Sequence, residues 1–101
     1  MLLRFVLTNY RLAFLPVALK EWRKLAPPIR EQFKHKLAER LRAPRIPGDQ
    51  LRGYPSMYKI KLRAAGYRLV YEVEDATLIV YVIAIGKRNN NAIYQALSSR
   101  R

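Results

Sequence analysis

The sequence contains no cysteine and a single histidine, His35. Without cysteine there is no disulfide, no thiolate nucleophile and no Cys-based zinc site, which fits a reducing compartment. Acidic residues are scarce as well, 7 against 20 lysines and arginines. They are scattered, so neither a metal-ligand constellation nor a carboxylate pair for ordinary acid–base work stands out. No stretch approaches the ~20 apolar residues that span a bilayer. The apolar start Met1-Leu-Leu-Arg-Phe-Val-Leu7 is too short for a secretory signal, is interrupted by Arg4 and lacks a small-residue cleavage site. Residues 1–8 are therefore expected to extend a first strand or form a leader, and the expected location is cytoplasmic.

What is present is apolar and basic. Hydrophobic residues make up 50% of 101 positions, enough for one compact domain across 1–101 rather than a disordered basic tail. The formal charge is +13. Self-repulsion of that size calls for a polyanion or an acidic partner: nucleic acid first, an acidic protein second, an anionic membrane surface a weaker third.

Tyr10–Phe14 alternates weakly and predicts a short strand. Pro16 opens a helix in which Ala18, Leu19, Trp22 and Leu25 recur at helical spacing, with Lys20, Glu21, Arg23 and Lys24 turned away. Pro27-Pro28 ends it and starts a second, striped by Ile29, Phe33, Leu37 and Leu41, with Arg30, Lys34, Lys36, Arg40 and Arg42 on its other faces. Ala43–Pro55 is a loop rich in Pro and Gly whose Leu51 and Arg52 fold back onto a sheet. From Met57 the period becomes two, predicting strands over Met57–Ala64, Tyr67–Glu74 and Thr77–Lys87. The last is apolar on both faces and should be central. Ala92–Leu97 reads as a short helix. The order is β-α-α-β-β-β-α, an α+β domain with a mainly antiparallel four-stranded sheet packed on a two-helix hairpin.

Tyr58-Lys-Ile-Lys-Leu-Arg63 alternates cations with apolar residues at strand spacing. If Ala65-Gly66 is a two-residue turn, Arg63 faces Arg68 and Lys61 faces Val70. Lys59, Lys61, Arg63 and Arg68 then share one face, and Ile60, Leu62, Tyr67, Leu69 and Tyr71 the other. A three-residue turn scrambles both faces, so the pattern selects the tighter one. Like charges opposite one another are unfavourable in a sheet, a cost that suits an anion between them.

These segments, together with Leu19-Lys-Glu-Trp-Arg-Lys-Leu25, Leu51-Arg-Gly53, Gly66-Tyr-Arg-Leu-Val-Tyr71, Gly86-Lys-Arg88 and Tyr94, closely resemble the RelE toxins of the RelE/ParE superfamily. The likeness covers the chain from Tyr10 to Ala96. It implies a microbial-RNase-like fold and a ribosome-dependent endoribonuclease, the toxin of a type II toxin–antitoxin module, which cleaves mRNA in the ribosomal A site. It also implies an acidic antitoxin that wraps the toxin, contact with small-subunit rRNA, no membrane and no small-molecule cofactor. The family's functional residues fall on Lys59, Lys61, Arg68, Arg88 and Tyr94, and Arg52 matches an RNA-binding arginine. Arg63 and Lys87 join it as candidate RNA contacts. The departures are Asn89-Asn-Asn91, where relatives carry more charge, and the residues before Asn9.

Metal-free RNA cleavage proceeds by attack of a 2′-hydroxyl on its own phosphate, leaving a 2′,3′-cyclic phosphate and a 5′-hydroxyl. Arg68 and Arg88 suit neutralisation of the phosphorane, since a guanidinium stays charged and binds oxygens bidentately. Lys59 and Lys61 share that charge, and Lys61, crowded by arginines, is the choice for proton transfer. Tyr94 either stacks on a base or assists proton transfer. Two other readings compete: a ParE-like gyrase inhibitor, and a non-enzymatic basic module that binds RNA or an antitoxin.

Overall fold

The computed structural model describes residues 9–87 and 92–100. The possible extension over residues 1–8 lies outside them. Strand β1 (Arg11–Phe14) leads into α1 (Pro16–Lys24) and α2 (Pro27–Arg40). Both helices carry proline in the first turn, where a missing N–H costs nothing, and both end in basic residues that complement the helix dipole. A loop with one 3₁₀ turn (Pro47–Asp49) precedes β2 (Met57–Leu62), β3 (Tyr67–Glu74) and β4 (Ile79–Lys87). Two single turns follow, α3 (Ala92–Gln95) and α4 (Leu97–Arg100), where one helix was expected.

The sheet order is β1-β4-β3-β2, with β1 parallel to β4 and the remaining pairs antiparallel. Strand β4 is central, as its two-sided apolar pattern requires. One face packs on the long helices through Phe33, Leu37, Ile60, Leu69, Tyr71, Val80 and Val82. Trp22 sits between Phe14 and Phe33, with ring centroids 5.2 and 6.5 Å away. The other face holds a smaller cluster of Leu51, Met57, Val70, Ile83, Ala84, Ile93 and Leu97. Fully burying each large side chain stabilises the fold by ~1.5–3 kcal/mol.

A β-bulge lets β4 serve both clusters. Val70 pairs with Ala84 but Tyr71 pairs with Val82, leaving Ile83 as the extra residue. Val80 and Val82 therefore face the helices, whereas Ile83 and Ala84 face the C-terminal turns.

The β2–β3 register corrects the expected turn. Leu62 pairs with Tyr67 and Lys61 with Arg68, so residues 63–66 form the turn. The Gly66 N–H donates to the Leu62 carbonyl at 2.8 Å, and Gly66 adopts φ +74°, a conformation glycine reaches without strain. Arg63 consequently leaves the ladder. The shift is two residues, an even number, so the residues assigned to each strand face keep their sides. Strand β4 likewise begins two residues later than expected, because Asp75–Leu78 turn back with a 3.2 Å bond from the Leu78 N–H to the Asp75 carbonyl.

Two charged residues off the apolar helix stripes are built into the fold. Arg40 donates to Asp49 Oδ2 at 2.7 Å, to the Tyr71 hydroxyl at 2.8 Å and to the Lys59 carbonyl at 3.2 Å. Tyr71 in turn donates to the Pro44 carbonyl at 2.6 Å, and burial pushes its hydroxyl pKa up. Glu21 reaches β4. Strand β1 ends with Phe14 opposite Val82, so among the described residues no strand pairs with β4 on that side from Ile83 onward. There the Ile85 N–H donates to Glu21 Oε1 at 3.0 Å, and Arg100 Nη1 donates to the Ile83 carbonyl at 2.8 Å. Arg100 also donates to both Glu21 oxygens, at 3.0 and 2.9 Å. A carboxylate and a guanidinium occupy the place of the missing strand.

Candidate functional site

Alternation along β2 puts Lys59 and Lys61 on the face of the smaller cluster, together with Arg68 of β3, which stands directly opposite Lys61. Strand geometry separates the two lysine Cα atoms by about 6.6 Å. The loop before β2 folds over the same face because Leu51 is buried there and its N–H donates to the Met57 carbonyl at 2.9 Å. On the far side α3 is held by the buried Ile93. These elements enclose an open cavity of about 530 Å³, lined by Gln50, Leu51, Arg52, Tyr54, Lys59, Arg68, Tyr94 and Leu97.

Arg68 is the centre of the cavity's chemistry. Its Nη1 donates to the Tyr94 hydroxyl at 2.6 Å, and its guanidinium carbon lies 5.7 Å from the centroid of that ring. Its Nε is buried and has no hydrogen-bond partner among the described residues. Leaving a donor of a charged group unmatched in a buried place is unfavourable. Because the Tyr94 hydroxyl accepts from Arg68, its own proton remains available to donate. Among the described residues no three His, Asp or Glu side chains converge to hold a metal ion. The groups that do converge are cations and phenols, which can bind a phosphodiester, stack on a base and move a proton.

The structure gathers the predicted residues unevenly. Lys59, Arg52, Arg68 and Tyr94 line the cavity, while Lys61 shares their face just beyond it. Arg63 is exposed in the turn. Lys87 pairs with Tyr67, whose ring packs on the helix side, and lines a separate depression with Glu21 and Arg100. Arg88 lies outside the described residues. Tyr54 and Gln50 were missed; a lone aromatic between Gly53 and Pro55, two residues from Arg52, was the available signal.

Comparison with known proteins gives a consistent picture. A family described as "ParE toxin of type II toxin-antitoxin system, parDE" matches residues 12–92. The chain is 53% identical over 91 residues to the mRNA interferase toxin RelE of Escherichia coli (strain K12), covering 90% of this chain and 96% of that one. It is 48% identical over 92 residues to a putative RelE-like toxin protein of Escherichia coli, covering 91% and 97%. A mutant of the E. coli toxin RelE in the free state superposes with a TM-score of 0.86 at 50% identity, over 92% of this chain and 98% of that chain. The toxin in the intact E. coli RelBE toxin–antitoxin complex gives 0.76 at 58% identity, over 77% and 95%.

Proposed function

The chain belongs to the ParE toxin family of type II toxin–antitoxin systems, and from that membership we propose that the Arg68 cavity is the RNA-cleaving centre of an mRNA interferase. The family is described as the ParE toxin, but the relatives at 53% identity are named mRNA interferases. The protein is a toxin and an endoribonuclease that inhibits translation by cutting messenger RNA on the ribosome. Its antagonist is an antitoxin, as RelB is for RelE in the solved complex. At +13, an acidic antitoxin and the RNA of the ribosome are both complementary surfaces.

One observation carries the assignment of the centre: the Arg68–Tyr94 bond at 2.6 Å, beside a buried and unmatched Arg68 Nε, in a cavity shared with Lys59 and Arg52. When the 2′-hydroxyl attacks its phosphate, negative charge grows on the non-bridging oxygens. Arg68 meets that charge with a guanidinium that lines the cavity and is already oriented by its bond to Tyr94, the kind of preorganisation that favours electrostatic stabilisation. Lys59 adds charge from the cavity wall, and Arg52 holds the RNA at its mouth. Arg88 is assigned to the same phosphate from its match to the family motif Gly86-Lys-Arg88. Lys61 transfers a proton at the leaving or attacking oxygen, and the Tyr94 ring supports a base while its hydroxyl is held by Arg68. No carboxylate or histidine lines the cavity among the described residues, so the rate depends on presenting the strand in line. A ribosome supplies that orientation, and free RNA does not.

The test is cleavage of mRNA on programmed ribosomes by purified toxin, with cuts mapped by primer extension and termini identified chemically. The expected result is cutting inside a codon with a 2′,3′-cyclic phosphate. Intact mRNA accompanied by blocked DNA supercoiling would overturn the reading. Lys61→Ala is expected to slow cleavage by ~10²–10⁴-fold, the usual contribution of a proton-transfer group. A wild-type rate in that variant removes Lys61 from the mechanism.

A further inference from the structure

We propose that Glu21 and Arg100 are positioning residues: by pairing at the unpartnered edge of β4 they hold the C-terminal turns on the sheet and thereby set Tyr94 beside Arg68. The catalytic half of this inference rests on the function proposed above, and the structural half on packing alone.

The turns α3 and α4 are four residues each. A helix of one turn has no stability of its own, so its place is decided by what anchors it. Two anchors are apolar, Ile93 and Leu97, both buried in the smaller cluster. Tyr94 lies between them, and its hydroxyl must arrive 2.6 Å from Arg68 Nη1. Apolar contacts restrain depth but tolerate sliding and rotation, because they are not directional. The directional anchor is Arg100, with one bond to the Ile83 carbonyl and two to Glu21, and Glu21 is itself bonded to the Ile85 N–H. The side chains of Arg100 and Glu21 are 17% and 30% exposed, so the pair is partly shielded from water. Its fork geometry ties α4 to α1 and to the bulged end of β4 at once.

The pair is not part of the cavity. Glu21 and Arg100 line a depression with Ile85, Gly86, Ile93 and Ala96, and none of these residues borders the Arg68 cavity. Any influence on cleavage therefore passes through the C-terminal turns, of which Tyr94 supplies the polar group at the cavity and Leu97 an apolar one. Loss of the pair removes the side-chain bonds to the Ile83 carbonyl and the Ile85 N–H, so the C-terminal segment should open locally while β2 and β3 remain intact.

The experiment measures amide hydrogen exchange and single-turnover cleavage of ribosome-bound mRNA for Glu21→Gln and Arg100→Gln. Each variant is made alone and combined with Tyr94→Ala. Amides of residues 92–100 are expected to exchange ~10-fold faster or more in both variants, with protection of β2 and β3 unchanged. The maximal cleavage rate should fall ~10-fold, with less than about a twofold change in the half-saturating ribosome concentration. In the Tyr94→Ala background the same substitutions should change the rate less than about twofold, because residues acting through one group are not additive. Unaltered exchange at 92–100, or losses that multiply with that of Tyr94→Ala, would overturn the inference. Should the wild-type toxin fail to cut ribosome-bound mRNA, the function proposed above is wrong, and the exchange data alone decide whether the pair holds the turns.

Discussion

Arg68 spends one donor on Tyr94 and keeps a buried Nε unmatched, so replacing its planar fork with an ammonium is not a conservative change. Arg68→Lys is expected to lower the cleavage rate about 10²–10³-fold, the usual cost of one preorganised donor, with the far-ultraviolet spectrum unchanged. Tyr71 carries the opposite kind of burden. It is fully buried, donates to Pro44 and accepts from Arg40, and burial keeps its hydroxyl protonated into alkaline pH. Tyr71→Phe should destabilise the fold by about 1–3 kcal/mol, read as a lower urea midpoint at constant m-value, with cleavage retained below that midpoint. Residue roles were legible where type and period agreed: Phe33 and Leu37 as core, Lys59 and Arg68 as one cationic face. The contacts of Glu21 and Arg40 were not legible, because helical period places a side chain on a face but says nothing about what folds over that face later.

At the scale of elements, the strands were readable and their ends were not. A turn's length changes which residues oppose each other without changing the hydrophobic pattern, provided the shift is even, so Lys61 rather than Arg63 meets Arg68. The bulge at Ile83 was invisible for a related reason: β4 is apolar on both faces, and one extra apolar residue leaves no mark in such a run. The two hairpin turns make contrasting predictions. Gly66 sits at φ +74°, so Gly66→Ala should cost about 1–2 kcal/mol. Leu78 is at φ +56° and 38% exposed, so Leu78→Asn should be neutral or stabilising by up to ~1 kcal/mol, because Asn tolerates that conformation. Parallel thermal melts of the two variants should move in opposite directions or leave only the Gly66 variant shifted.

For the whole molecule, charge sets the response to solvent. Arg45 bonds Asp75 at 2.7 and 3.1 Å, and Tyr10 donates to it at 2.6 Å. Those bonds, Arg45 first, hold the Asp75 carboxyl below its ordinary range. A carboxylate with a depressed folded-state pKa stabilises the fold above its unfolded value, about pH 4, and that contribution fades as pH falls through the folded value. Stability should therefore decline on acidification below about pH 4, and less steeply in Asp75→Asn, measured by denaturant titration across pH 2–6. Each carboxylate protonated also raises a net charge that starts at +13. Ribosome binding should weaken linearly on a log–log salt plot, with a slope near −0.7 to −0.9 per phosphate neutralised, and a flat plot would exclude an electrostatic footprint.

The parallel pairing of β1 with β4 also bears on the order in which the protein acquires its shape during synthesis. Residues 11–14 leave the peptidyl-transferase centre early, yet their partner spans residues 79–82. Until β4 follows, the nascent chain can build only helices and an isolated β2–β3 hairpin, which is marginal in water. Contacts of such long sequence separation form slowly and late. A toxin directed at ribosomes is thus assembled around a strand that arrives after its neighbours. The ribosome that makes it meets an unfinished sheet for most of elongation, with the cation face of β2 and β3 present but the second wall of the cavity still to come.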